Sequence, residues 1–209
     1  MKTLLILIAL CLIFLGCAAT NPVITRHKSL ANDAIDDGNI RSAIAHVDSA
    51  IGVCESVGCT LEIYEWMLHT ATEHGNDVLR AKAFENIILV YISVSLSKDE
   101  IAGEKNVAAA KERAREYLFW ADSLYFSRND PFPLVDALLI SAEVARADSP
   151  GVALGYLSRI VELAETPEFA MISERSKKTV ERAKVIIDDI GLEMTLKFKT
   201  GKEAVLGSN

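Results

Sequence analysis

Histidines and cysteines are the residues of this chain best suited to metal binding, proton transfer or covalent cross-linking, and their spacing decides which of these is available. His69 and Glu73 share a helix face at i, i+4, whereas His74 at i+5 does not. The paired-histidine spacing of a helical zinc site is therefore absent there. Cys54 and Cys59 form a C-x4-C pair without the two further ligands that structural zinc requires. On one unbroken helix the two thiols would point about 140° apart and could not bridge. A helix ending near Ser56-Val57-Gly58, with Gly58 as its C-terminal cap, would let them meet. A disulfide and a pair of buried free thiols both stay open. Asp36-Asp37 before Gly38 reads as a solvated turn. Trp66, Tyr117, Trp120 and Tyr125 are candidates to line a groove, with core packing as their competing role. These residues form no catalytic constellation, so the expectation is a non-enzyme that carries no metal and no cofactor.

The most specific chemistry is at the N-terminus. Lys2 precedes an apolar run from Leu4 to Leu15, the length of a signal-peptide core and too short to span a bilayer, which takes about 20 residues. Gly16-Cys17 follows, then Ala18, Ala19, Thr20 and Asn21. This arrangement resembles the signal of bacterial lipoproteins. The resemblance implies cleavage before Cys17 and S-diacylglyceryl and N-acyl groups on that residue, which would hold the chain on a membrane. Ala18 after the cysteine resembles the outer-membrane sorting pattern, implying a periplasm-facing position in a diderm host. Removing residues 1–16 from 209 leaves 193, enough for a real core. It also removes Lys2, moving the net charge from −7 to −8. An acidic chain without a Lys/Arg cluster is unsuited to nucleic acid, whose phosphates need cations. Cys54 and Cys59 would sit in a compartment that permits disulfides.

The elements that position these residues are helical throughout. Ile40, Ile44, Val47, Ile51 and Cys54 are spaced 4, 3, 4, 3; Val135, Leu138, Leu139, Ala142 and Ala145 make a second apolar stripe, and Ala153 to Ala164 a third. Asp130-Pro131, Ser149-Pro150 and Thr166-Pro167 each place an oxygen-bearing cap before a proline at the first helical position. The predicted helices span 25–37, 40–55, 60–74, 78–97, 104–127, 131–147, 150–165 and 168–190, with short links that favour antiparallel neighbours. The predicted domain runs over 25–190, after a tether at 17–24. Residues 191–209 are expected to be a flexible tail, since Leu192 to Lys199 alternates apolar and polar with no second strand to pair with.

Gly38-Asn39-Ile40-Arg41-Ser42-Ala43-Ile44, then Val47 and Ala50-Ile51, resembles the second half of a tetratricopeptide repeat, with Ala31 at the small position of the first helix. Ala114 to Ala121 and Ala153 to Val161 resemble it again. The resemblance implies an all-α superhelix of antiparallel pairs whose concave face binds a peptide or helix; the alternative is an irregular helical bundle. The expected role is a membrane-anchored, non-catalytic protein-interaction scaffold of the cell envelope. The competing role is a lipid-anchored binder of a small apolar ligand, or a transporter accessory subunit.

Overall fold

The computed structural model describes residues 21–95, 100–167, 169 and 174–206, with side chains of the last helix described for 177–195. The signal segment 1–16 and Cys17 lie outside the described residues. The chain divides into two compact units, one ending at Val90 and the other beginning at Tyr91, where the sequence read as one domain over 25–190. Among the described residues every regular element is a helix.

The first unit begins earlier than its apolar pattern suggested. Asn21 accepts from the Val23 N–H at 2.9 Å, Pro22 occupies the first turn, and helix α1 runs Pro22–Asp36. The predicted tether is thus helical from 22 onward, and Ile24, 2% exposed, is already core. Gly38 ends α1 at φ +70, with the Asn39 N–H donating to Ala34 O (2.8 Å) and the Gly38 N–H to Ile35 O (3.0 Å). Asn39 then caps α2 (Ile40–Ile51) by accepting from the Ser42 N–H. The same device recurs 37 positions on, after α3 (Val57–Glu73). Gly75 stands at φ +61, the Asn76 N–H donates to Ala71 O (2.8 Å), and Asn76 caps α4 (Asp77–Ser95) through the Leu79 N–H. Glycine is needed at both turns because a Cβ is strained in the left-handed region.

The core line of α2 is Ala43, Val47 and Ala50, with Ile40, Ile44 and Ile51 only partly buried around it. The expected isoleucine stripe is thus rotated, so that small residues meet Ala31 and Ala34 of α1 and let the two backbones approach. Ile63, Met67 and Ala71 of α3 and Leu79 and Ala83 of α4 complete this core.

The second unit is built around a helix with no solvent face. α5 (Glu100–Arg128) ends at Asn129, which takes φ +54 and donates its N–H to Tyr125 O at 2.8 Å. Asp130 accepts from the Phe132 N–H at 3.0 Å, and α6 runs Phe132–Ala145 with Pro131 at its cap position. Ten of its residues are buried, from Pro133 to Val144, and it packs against α5, α7 (Pro150–Ala164) and α8 (Glu174–Leu206). Val135, Leu138, Leu139 and Ala142 of the predicted stripe are buried, and burial extends beyond that stripe because three neighbours cover the helix. Each fully buried leucine or valine there contributes about 1.5–3 kcal/mol.

One capping expectation is corrected. Ser149 makes no side-chain cap bond, although α7 does start at Pro150. Thr166-Pro167 follows α7, which ends at Ala164, and begins a short 3₁₀ turn in which the Phe169 N–H donates to Thr166 O at 3.1 Å. The Thr166 hydroxyl donates back to Leu163 O at 2.7 Å; residues 170–173, inside the predicted helix 168–190, lie outside the described residues, and α8 is described from Glu174. That helix continues to Leu206, so residues 191–206 are helical where a flexible tail was expected. Leu, Glu, Met and Lys are strong helix formers, no proline interrupts them, and no neighbouring strand rewards their period-2 pattern.

Candidate functional site: a groove in the second unit

α5, α6 and α7 leave a groove along one side of the second unit. Its inner part, about 230 Å³, has apolar walls from Ala114, Val144, Ala145 and Val152, with Lys111, Arg115, Asp148, Ser149 and Tyr156 supplying polar groups. A wider part of about 580 Å³ continues past Ser95, Gly103, Glu104, Val107 and Ala108. Lys111 and Asp148 line both parts, so the groove is continuous across them.

The positions follow from helix geometry. Lys111, Ala114 and Arg115 fall at i, i+3 and i+4 on α5, and Ser149, Val152 and Tyr156 at i, i+3 and i+7 at the start of α7. The floor is Ser141 of the buried α6, whose hydroxyl is spent on Ala137 O at 2.8 Å. The Lys111 ammonium donates to the Asp148 carboxylate, a pair 37 residues apart. That hydrogen bond, reinforced by the lysine charge, holds the Asp148 carboxyl below the usual carboxylate range. A second bridge ties the same two regions: Arg159 on α7 donates to Asp122 on α5 at 2.6 Å. Apolar walls with a zwitterionic pair across the middle suit a polypeptide, whose side chains need dry contacts and whose polar groups need donors and acceptors.

None of the four candidate aromatics lines this groove among the described residues. Tyr117 is 1% exposed and belongs to the core of the second unit. Trp120 stacks on it with ring centroids 5.9 Å apart, and Tyr125 meets Phe126 edge-on at 6.2 Å. Helical periodicity alone does not tell which arc of α5 faces α6, and Tyr117 falls on the covered arc. Trp66 lies in the first unit, half-buried against its core, with the Lys28 ammonium 5.3 Å from its ring centroid. The groove's own aromatic is Tyr156, which the sequence marked only as part of a repeat.

Cys54 and Cys59 form a disulfide with Cα atoms 5.6 Å apart. α2 stops at Ile51 and Ser56 caps α3 through the Cys59 N–H at 3.2 Å, so the break between the helices brings the sulfurs together. Compared with protein-family models, curated proteins and solved structures, the chain has no match.

His69 lies 3.4 Å from Glu73 on the exposed face of α3. His74 faces elsewhere: its Nδ1 is 2.9 Å from Thr70 O and its Nε2 is 3.1 Å from Asp36. The hydrogen bond to the Thr70 carbonyl raises the His74 pKa, desolvation opposes it, and the Asp36 charge raises it further. This contact joins the end of α3 to the end of α1.

Proposed function

We propose that the protein is a lipid-anchored, non-catalytic scaffold of the cell envelope that holds an extended peptide or a helix in the groove between α5, α6 and α7. The reading joins two features. The N-terminal sequence, Lys2, the apolar run Leu4 to Leu15 and Gly16-Cys17, supports acylation at Cys17 and residence on a membrane, facing the periplasm from the outer membrane in a diderm host. The consecutive helix pairs, with small residues at their contacts, support a tetratricopeptide-like arrangement whose open face receives a partner.

The observation that carries the reading is the Lys111–Asp148 pair set among apolar walls. It supplies both hydrogen-bonding polarities in a trough open along its length.

The test is a photo-reactive amino acid at Val152, inside the groove, compared with Glu162, exposed elsewhere on α7. The anchored protein should cross-link a polypeptide from Val152 and not from Glu162, and Asp148→Lys should abolish the adduct. Equal cross-linking from both positions, or none from Val152, contradicts a polypeptide partner in the groove.

A further inference from the structure

We propose that His27 and His46 form a binding site for a divalent zinc-class ion that bridges α1 and α2. The Nδ1 atoms of the two imidazoles lie 3.4 Å apart, with ring centroids at 5.6 Å and ring planes tilted by 37°. Hydrogen bonds donated by nitrogen cluster near 2.9–3.0 Å, so this separation is long for a bond between two neutral rings. It does match the spacing of two ligands on one metal. With Zn–N of about 2.0–2.1 Å and a tetrahedral angle, the two nitrogens stand about 3.3–3.4 Å apart. Adjacent corners of a square plane would bring them to about 2.9 Å, and opposite ends of a linear ion would hold them about 4 Å apart, on the same bond length. The separation therefore fits two corners of a tetrahedral ion.

The pair is also prearranged. Gly38-Asn39 fixes the turn between the helices, and Ala31, Ala34, Ala43 and Ala50, all 8% exposed or less, hold the two backbones close. An ion placed there takes Nδ1 of each neutral imidazole, with the ring proton of each on Nε2, and no proton need be lost from the neutral pair. Among the described residues no third His, Cys, Asp or Glu gathers with these two, so water or an outside ligand completes the shell.

Zinc sulfate titrated calorimetrically into the full mature chain should bind with one-to-one stoichiometry and raise the melting temperature. His27→Gln and His46→Gln should each abolish this binding, whereas His69→Gln should keep it. Should either glutamine variant fail to fold, carbethoxylation of the wild-type protein reads the same site: zinc should protect His27 and His46 and leave His69 reactive. No stoichiometric binding, binding that survives His27→Gln, or protection of His69 instead would overturn the proposal.

Discussion

Up to Val90, helices are joined by two Gly-Asn turns, one disulfide across five positions, and a histidine, His74, that reaches Asp36, 38 residues away. From Tyr91 on, one helix is covered on three sides, and ion pairs reach between elements 37 to 47 residues apart. Arg146 meets Glu193 at 2.5 Å and Arg182 meets Glu143, so α8 is tied to α6 at two levels. The first unit depends on groups that respond to redox state and to protons near neutrality. The second depends on buried hydrocarbon and on ion pairs between its helices. Closing helix pairs thus has two solutions in one chain, one conditional and one not. The two tryptophans fall one to each unit, Trp66 and Trp120, so single-tryptophan variants report each unit by fluorescence.

The largest effect should come from the pillar of the second unit. Leu138→Ala should cost about 2–5 kcal/mol in urea unfolding followed by Trp120, because α6 is packed too tightly on three sides to collapse into the cavity. An unchanged Trp66 transition would show the units to be independent, and an equal shift in both would merge them. Reduction of Cys54–Cys59, or Cys59→Ser, should cost the first unit about 2 kcal/mol by the loop-closure relation for a link of five residues. Trp66 should report that loss and Trp120 should not. Gly75→Ala, at φ +61, should cost about 1–2 kcal/mol, again only by Trp66.

How much of this was legible in the sequence follows from the range of each interaction. Helix class and most boundaries rest on local rules, and Ile40 and Pro150 start helices where the sequence placed them. Asn21-Pro22 carried the same signal as Ser149-Pro150 and was passed over because the apolar pattern begins only at Ile24. Gly75-Asn76 repeats Gly38-Asn39 and could have been read as a second turn of the same kind. Lys111–Asp148 and His27–His46 were not readable. Their partners lie 37 and 19 residues apart, and nothing local marks which arc of one helix meets which arc of another. Tyr117 failed as a groove residue for the same reason.

The smallest effect separates the units by pH. The His74 pKa is raised above the ordinary 6.5, through the Thr70 carbonyl first and, against an opposing desolvation, through the Asp36 charge. Its contribution is present in full below the unfolded value and is lost as pH rises through the folded one. The Trp66 transition should therefore weaken on going from mildly acid to mildly alkaline pH, and His74→Gln should reduce that slope. Asp148 has the opposite sign. Its pKa lies below 3.8, so its contribution holds above the unfolded value and fades only as pH falls through the folded one. It adds no slope near neutrality. A Trp120 transition that follows pH as steeply as the Trp66 transition would erase the distinction.

Membrane attachment is the premise on which the scaffold reading rests, and intact-mass analysis of the mature N-terminal peptide tests it most directly. The predicted peptide begins at Cys17 and carries the mass of a diacylglyceryl group and an N-acyl chain. A peptide that begins elsewhere, or an unmodified cysteine, would contradict it.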